Sequence, residues 1–547
     1  MAYSEPKTFF ERISLMYMQN HDNETRRRVL VKTYEGSAKE EVNAEYNLPD
    51  YLPDVNRLLK VSAAVTDHGS YLSGETAEYD GKLRFSVLYA TGDGSLKEAE
   101  FETDYAGNMP VMGLVADCDF RMEAEAGGVS CRLQNPRKLI AKAKVMLAVS
   151  VMAPISTSPV ISGRLTAEEE SALQSRAQAV NSVAIFTAEE LGTAISEDLE
   201  LEPSMPSIAE IISVELDPMM TDMKTTEKSL SYKGDLLTRI LYLAKQEETA
   251  EAPTAPIYMT YQAKIPISGE IAFDRAIERP IPTAEVKIEH LEYRTQENAF
   301  GECRTFELDF EYSVMATIYA NEENDITTDM YSTDYESASE VETLSFDTVL
   351  LARGFNFSVR GSMPRDDKDF DHIVMTTATA SVDAMEKQGG KLIFAGNAEV
   401  SAILTNGAGI YLSRSFTVPF RAETDAARVG EDFHAVSKAQ VIASTGRMDE
   451  NAVLCDLEIL ISYVLFEKHE EAYIRACNVY KDRPITRADE NLLTLYYPTS
   501  ADTLWDVAKK YSTTVAELLS ANNMTEDATS PVLIIPKRRT GTAKKIL

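Results

Sequence analysis

The sequence lacks the features that mark exported, membrane-spanning and nucleic-acid-binding proteins. No run of 18 apolar residues occurs among its 547 residues, so no segment is predicted to span a membrane. The first 29 residues have no apolar core of signal-peptide length, and several of them are acidic. Lysine and arginine number 54 against 87 aspartates and glutamates, and this net charge of −33 argues against a nucleic-acid partner.

Cysteine and histidine, the residues of most metal sites, are scarce. Five scattered cysteines form no CxxC pair, and we expect them to be buried small residues in a reducing compartment: Cys118, Cys131, Cys303, Cys455 and Cys477. The six histidines lie far apart, and no HExxH, Walker A or GxSxG motif occurs. We therefore predict no enzymatic activity, no metal and no cofactor. The alternative is an enzyme with an unrecognised site in the β-rich part of the chain.

The acidic charge is unevenly distributed. After Glu490 the chain has 7 basic and 5 acidic residues, so the residues up to Glu490 carry −35. Residues 537–547 contain five basic side chains: Lys537, Arg538, Arg539, Lys544 and Lys545. We predict that this segment is a solvated basic tail, with contact to an acidic partner or a membrane surface as the alternative.

Alternation of apolar and polar residues from Leu30 onward is typical of β-strands. Sliding the sequence against itself aligns three ungapped segments that start at Leu52, Met205 and Asp367. Matching positions share apolar residues and one glycine: Val55, Ile208 and Phe370; Leu58, Ile211 and Ile373; Gly81, Gly234 and Gly396; Tyr89, Tyr242 and Leu404. A glycine at one fixed place in a strand pattern predicts a β-bulge or a close approach of two backbones.

Each copy is long enough to bury a core of its own. We therefore predict a mainly β chain of three tandem antiparallel β-sandwich-like repeats followed by a small βααβ module. The predicted organisation is an N-terminal leader (1–29), repeat one (30–155), a linker with a short helix (156–180), repeat two (181–320), an acidic linker (321–340), repeat three (341–477), a linker (478–490), the βααβ module (491–536) and the basic tail (537–547).

The βααβ pattern begins and ends with the apolar strands Leu492–Tyr497 and Val532–Ile535. Two capped helices are predicted between them, because a threonine precedes each and an acidic residue follows three positions later. These pairs are Thr503 with Asp506 and Thr514 with Glu517. Asparagine at position 523 suits the left-handed turn that ends the second helix.

This module resembles a LysM domain. The motifs that carry the resemblance are Asp502-Thr503-Leu504-Trp505, Lys509-Lys510-Tyr511, Ala521-Asn522-Asn523, and Leu533, Ile535 and Pro536 in the last strand. The resemblance implies a shallow groove between the first strand–helix loop and the second helix–strand loop, which in this family binds N-acetylglucosamine polymers. The groove residues that it implies here are Ala501, Asp502, Thr503, Leu504, Trp505, Asn523, Met524, Thr525 and Ser530.

Two departures from the family pattern fall in the groove loops. Ala501 replaces the glycine before Asp502, and Thr529-Ser530-Pro531 replaces a Pro-Gly-Gln segment. We predict that the fold tolerates both changes and that the module binds a protein in preference to a glycan. Trp505 is the only tryptophan, and we expect it to be a half-buried helix residue, with direct contact to a partner as the alternative.

The order of three β-rich repeats and one LysM module resembles the SPOCS-plus-LysM proteins of endospore-forming bacteria. The residues that match are Leu52-Pro53, Met205-Pro206, Leu58-Leu59, Ile211-Ile212, the glycines and tyrosines of the repeats, and Val418-Pro419-Phe420; the third copy departs, with Asp367-Lys368 at the proline step.

This second resemblance implies a spore-envelope scaffold without enzymatic activity. It would act in the mother-cell cytoplasm at the forespore surface, where it links a SpoIVA-like coat-basement ATPase and other spore-envelope proteins. The alternative is a cell-wall protein that binds peptidoglycan.

Overall fold

In the part of the chain that the structure describes, most residues belong to antiparallel strands, and two of the three short helices lie near the C-terminus, as predicted. The computed structural model describes residues 28–536, apart from 113, 115–116, 163–164, 247–254, 366–368, 407, 427–428, 486–492, 500–501 and 526–529. Most of the predicted leader and the whole of the basic tail lie outside the described residues. Within the described residues, no helix is both long and apolar enough to cross a membrane.

The first six strands form two three-stranded antiparallel sheets. They are β1 (Arg28–Asn47), β2 (Arg57–Ser73), β3 (Thr76–Ala90), β4 (Leu96–Pro110), β5 (Asp119–Asn135) and β6 (Lys138–Ser156). One sheet has the order β1-β6-β5 and the other β2-β3-β4. We refer to these strands as the first strand group.

The next twelve long strands repeat this order twice. The second strand group contains β8 (Leu173–Glu200), β9 (Ile208–Thr225), β10 (Ser229–Ala244), β11 (Tyr258–Ala272), β12 (Ile281–Glu297) and β13 (Cys303–Ser332). The third contains β14 (Tyr335–Pro364), β15 (His372–Gln388), β16 (Lys391–Thr405), β17 (Tyr411–Asp425), β18 (Phe433–Met448) and β19 (Ala452–Pro484). Their sheets are β8-β13-β12 with β9-β10-β11, and β14-β19-β18 with β15-β16-β17.

Two short elements connect the first and second strand groups. Strand β7 (Val160–Ser162) pairs in parallel with β19, and helix α1 (Ala167–Ser171) follows it. Thr166 caps α1 in a capping box with Glu169. The predicted helix is therefore present but only five residues long.

In each group, buried side chains from both sheets join in one apolar cluster. Central strands supply the largest buried residues, such as Phe85, Tyr242 and Phe394. Cys455 and Cys477 are buried as predicted. The prediction is wrong for the other three cysteines, which are only partly buried because they lie in an edge strand or beside a strand end: Cys118, Cys131 and Cys303.

The aligned glycines occupy the central strands β3, β10 and β16, and the predicted close backbone approach is confirmed. A Cβ on Gly234 would lie 2.7 Å from the Met219 carbonyl oxygen. A Cβ on Gly396 would overlap the Ser381 carbonyl oxygen and lie 2.6 Å from Cζ of Phe420. The register of the neighbouring strand shifts beside each glycine, so the predicted β-bulge is present as well.

Segments that we predicted as linkers are largely strand. Strand β8 starts at Leu173, β13 continues to Ser332, β14 starts at Tyr335, and β19 continues to Pro484. The prediction failed because each segment pairs with a strand more than a hundred residues away. Thr305–Ser332 pairs with Leu173–Glu200, and Tyr335–Pro364 pairs with Ala452–Pro484. Local composition carries no signal of such distant pairing.

The three strand groups contact one another in a closed ring. Strand β4 lies against β9, β11 against β15, and β17 against β2. Side chains that occupy matching positions in the aligned segments meet in one buried cluster, among them Leu88, Leu241 and Ile403. Hydrogen bonds also connect neighbouring strand groups, including one from Arg57 Nη1 to the Tyr411 carbonyl oxygen at 2.8 Å. The first and last groups are thereby joined directly.

A partly buried ionic cluster lies at the joint between the first and second groups. Lys60 and Arg239 both contact the carboxylate of Glu215, with Arg239 Nη1 at 2.6 Å. Nearby, the Ser86 hydroxyl donates to Glu98 at 2.5 Å. Burial is the main cause that raises the pKa of Glu98 to about 7, with a smaller contribution from the charges of Glu100 and Glu215; the hydrogen bond from Ser86 and the charge of Lys60 act in the opposite direction.

We expect Glu98→Gln to stabilise the protein at pH 8 and to change its melting temperature little at pH 5. The pKa of Glu98 is higher in the folded chain than its ordinary value of 4.5, so its contribution to stability is greatest below pH 4.5 and is lost as the pH rises through 7. Glutamine mimics the protonated acid at every pH. Thermal unfolding at both pH values measures the difference, with exposed Glu102→Gln as the control. Equal shifts at pH 5 and pH 8 would contradict the assignment.

Candidate functional site

The C-terminal module, residues 493–536, is a two-stranded sheet covered by two helices. Strand β20 (Thr494–Tyr496) pairs antiparallel with β21 (Leu533–Ile535). Helices α2 (Leu504–Lys510) and α3 (Val515–Asn522) connect them. The observed order is the predicted βααβ.

Both predicted capping boxes are present. The Thr503 hydroxyl accepts from the amide of Asp506 at 3.2 Å, while the Asp506 carboxylate accepts from the amide of Thr503 at 3.1 Å. The Thr503 hydroxyl also lies 2.6 Å from the Asp506 carboxylate, and these hydrogen bonds lower the pKa of Asp506. Thr514 and Glu517 form the same arrangement at α3. Asn523 ends α3 with φ 50° and ψ 45°, the predicted left-handed cap.

The core of the module includes a residue from the β-rich body. Its own buried side chains are Val507, Ala508, Leu518, Leu533 and Ile535, and Tyr331 from β13 joins the same cluster. The Tyr331 hydroxyl donates to the Thr513 carbonyl oxygen at 2.7 Å. Its ring packs edge-on against Trp505, with the ring centroids 5.1 Å apart. One aromatic residue of the body therefore completes the core of a small domain.

Asp329, two residues earlier in β13, binds the module by both carboxylate oxygens. Trp505 Nε1 donates to Oδ2 at 2.8 Å, and Lys509 Nζ lies 2.6 Å from Oδ1. The Arg176 guanidinium lies over the Trp505 ring, 5.6 Å from its centroid. Burial alone would raise the pKa of Asp329, but the hydrogen bonds from Lys509 and Trp505 outweigh it and the pKa is lowered. Asp329 therefore stays ionised at neutral pH.

The family comparison agrees with this geometry. A family model described as LysM domain matches residues 499–532, which includes both helices and both groove loops. A LysM domain occupies this segment. No curated protein and no solved structure matches the chain. The match indicates peptidoglycan or another N-acetylglucosamine polymer as the ligand class of the LysM domain.

The predicted groove residues differ in their exposure to solvent. Thr503, Asn523 and Thr525 are exposed, and five others are partly buried: Asp502, Leu504, Trp505, Met524 and Ser530. Ala501 lies outside the described residues. Trp505 is engaged by the body of the chain, with Asp329, Tyr331 and Arg176 around its ring. The predicted half-burial of Trp505 is thus confirmed, but the residues that cover it were not predicted.

Polar side chains at the groove loops are already used within the LysM domain. Asp502 Oδ2 accepts from the Tyr496 hydroxyl at 3.0 Å and from the amide of Thr499 at 2.7 Å, and these bonds lower the pKa of Asp502. The side-chain amide of Asn522 bonds to both the amide and the carbonyl of Ile534. The Ser530 hydroxyl donates to the Val532 carbonyl oxygen at 2.7 Å. These hydrogen bonds fix the described part of the loops, in which Thr525 is an exposed polar side chain.

A surface depression in the β-rich body lies beside Glu200–Pro203, Glu302 and Arg304. The Arg304 guanidinium donates to the carbonyl oxygens of Glu202 at 2.7 Å and Met205 at 3.1 Å. In the first strand group, Arg137 donates in the same way to the carbonyls of Pro49 and Leu52. Both arginines therefore fix a loop. Among the described residues, no group of three or more histidine, cysteine, aspartate or glutamate side chains could hold a metal ion.

Proposed function

We propose that this protein is a non-enzymatic scaffold of the spore-envelope type, with its LysM domain as a protein-binding module. Its binding surface would be the two groove loops, and its partner a SpoIVA-like coat-basement ATPase. The proposed location is the mother-cell side of the forespore surface. We further propose that each strand group is one SPOCS-type repeat folded as a β-sandwich, and that the repeats offer surface to other spore-envelope proteins.

The observation that supports this proposal best is the attachment of the LysM domain to β13. Trp505 and Lys509 are held by Asp329, and Tyr331 is part of the LysM core. A module attached in this way presents its groove loops in a fixed orientation relative to the body. Fixed presentation favours assembly with a large partner, since little orientational freedom is lost on binding. The use of Asp502 and Ser530 in internal hydrogen bonds also favours a partner other than a sugar.

The second candidate function is glycan binding, which the LysM match itself supports. In that case the same loops would bind peptidoglycan, and the body would act as a spacer or as a second binding unit. The two candidates share one surface and differ in the chemistry of the ligand. Capture experiments on the whole chain can therefore distinguish them.

We expect Thr525→Trp to weaken capture of the whole chain by an immobilised coat-basement ATPase at least tenfold, because an indole ring would obstruct the groove. The matched control is Ala516→Trp, an exposed position in the first turn of α3. Ala516 lies at the start of α3 and Thr525 follows its end, so most of the helix separates the two positions. We therefore expect Ala516→Trp to leave capture unchanged. Purified peptidoglycan serves as the second matrix. Retention on peptidoglycan that Thr525→Trp abolishes, without capture by the ATPase, would establish the glycan function and contradict the scaffold.

A further inference from the structure

The LysM domain is held by two neighbouring strands of the body, at a β-bulge. Arg176 of β8 and Asp329 of β13 are cross-strand partners, and the register shifts directly before Asp329. Thr328 is the extra residue of this bulge, and its hydroxyl donates to the Arg176 carbonyl oxygen at 3.3 Å. A bulge changes the direction of the side chains beside it. Tyr331, two residues after Asp329, lies on the same face of the strand. We refer to Arg176, Asp329 and Tyr331 as the LysM dock.

The LysM dock contacts helix α2 along its length. Trp505 and Lys509 are four positions apart, so they lie on one face of the helix, and both bind Asp329. Just past the end of the helix, the Thr513 carbonyl oxygen accepts from the Tyr331 hydroxyl. These contacts lie at the start, at the end and beyond the end of α2. They therefore fix both its position and its rotation on the body.

The same helix and the same core also support the groove loops. Leu504 is the first residue of α2 and Met524 follows the cap of α3, and they are predicted groove residues from different loops. Both pack against the buried cluster that contains Tyr331. The hydrogen bonds of the α2 capping box lower the pKa of Asp506, and the charge of Arg176 contributes in the same direction. The LysM dock thus reaches both groove loops through one helix and one core.

We propose that Asp329 and Tyr331 are positioning residues for the LysM groove, so that ligand binding at the groove loops and attachment to the body strengthen each other. This inference rests on the proposed function, because it requires a ligand at those loops. With the dock in place, Leu504 and Met524 are held before the ligand arrives, and binding does not bear the cost of ordering them. The coupling is reciprocal: each event strengthens the other by the same factor.

The coupling extends from the groove into the body. Strands β8 and β13 belong to the second strand group, in the sheet β8-β13-β12. A ligand that strengthens the attachment of α2 would therefore also stabilise the end of this sheet, where residues 329–332 pair with β8. The ligand itself would not touch these residues. This distant effect distinguishes a positioning role from a role in the folding of the LysM domain alone.

The first test compares dissociation constants of whole-chain variants on two probes, the immobilised coat-basement ATPase and purified peptidoglycan. Asp329→Asn and Lys509→Gln should each weaken binding about fivefold or more on the probe that the parent binds. Both remove the same ionic interaction, so the double variant should bind no more weakly than the weaker single variant. Lys510→Gln is the matched control. It removes the same charge one residue later, where the ammonium lies over the Tyr496 ring, 4.9 Å from its centroid, and it should bind as the parent does.

The second test needs no substitution in the dock. Saturation of the parent chain with the ATPase, or with soluble peptidoglycan fragments if the parent binds peptidoglycan, should slow amide hydrogen exchange in residues 329–332 about fivefold or more. Thr525→Trp, which obstructs the groove, should abolish this slowing. A purely structural role of Asp329 would leave the exchange unchanged by either probe.

Four results would overturn the inference while the parent still binds a probe, and would leave the proposed function intact. They are parental affinity in both Asp329→Asn and Lys509→Gln, additive losses in the double variant, an equal loss in Lys510→Gln, and unchanged exchange in residues 329–332. A parent that binds neither probe would contradict the proposed function, and the inference with it. Thermal unfolding followed by Trp505 emission shows whether each variant is folded at the assay temperature. If a variant is not folded, the exchange measurement on the parent decides.

Discussion

Gly396→Ala should destabilise the protein by about 3 kcal/mol or more, a large effect for the addition of one methyl group. Gly396 lies in the central strand β16, where a Cβ would overlap the Ser381 carbonyl oxygen and approach the Phe420 ring to 2.6 Å. A flexible side chain can move aside, but a paired backbone carbonyl cannot move without breaking its strand. The free energy of unfolding from urea titration of the whole chain is the measurement.

Substitution of the three aligned glycines by alanine should destabilise the protein to different extents. A Cβ would overlap a backbone oxygen at Gly81 and Gly396, whereas at Gly234 the nearest oxygen is 2.7 Å away. We therefore expect Gly234→Ala to cost less than either of the other two. Gly127→Ala in β5 is the matched control, because it also lies in a strand but has no heavy atom within 4 Å of the added Cβ. Loss of stability equal to that of Gly127→Ala at all three sites would refute the packing explanation.

The aligned glycines are one of the structural features that the sequence alone predicted. Their role follows from one repeated residue in a strand pattern, and the helix caps of the LysM domain follow from threonine and an acidic residue at fixed spacing. Both are local signals, since the atoms involved belong to neighbouring residues or to strands that follow one another in the chain and pair in the sheet. The mainly β character of the chain follows from alternation, which is local as well.

The extent of the strands and the attachment of the LysM domain could not be predicted in this way. Asp329 and Trp505 are 176 positions apart, and Tyr331 and Thr513 are 182 positions apart. Asp329 and Tyr331 belong to a segment whose acidic composition is typical of a linker. Their partners are fixed by how β13 continues past the body, and that geometry exists only after distant strands have paired. The ring of strand groups is another property of this kind.

Tyr331→Ala should detach or unfold the LysM domain, with a cost of about 3–5 kcal/mol. Tyr331 is 4% exposed, packs against Trp505, and bonds the Thr513 carbonyl oxygen. Its removal would open a cavity in a core of few residues, where Tyr331 is buried and the other aromatic side chains, Tyr496, Trp505 and Tyr511, are only partly buried. We expect the emission of Trp505 to shift to longer wavelength as its ring meets water.

The loss of stability in two variants distinguishes the packing of the Tyr331 ring from its hydrogen bond to Thr513. Tyr331→Phe keeps the ring and loses only the hydrogen bond to Thr513, so it should cost about 1 kcal/mol. Tyr480→Ala removes a partly exposed tyrosine of β19 and serves as the matched control, with no expected change in Trp505 emission. Unfolding followed by tryptophan emission reports the LysM domain, while circular dichroism of the strands reports the body. Only the first transition should move in Tyr331→Ala, and equal movement of both would mean that the domain and the body unfold as one unit.

The charge on Asp329 makes the same attachment dependent on pH. Because the pKa of Asp329 is lowered below its ordinary value of 3.8, its contribution is present above pH 4 and is lost as the pH falls toward the lower pKa. Asp329→Asn keeps an oxygen acceptor for Trp505 Nε1 but gives up the ionic interaction with Lys509. We therefore expect this variant to weaken the attachment at pH 7 and to remove its dependence on acid. A Trp505 transition that keeps the parent's pH profile in Asp329→Asn would assign the acid sensitivity to another carboxylate.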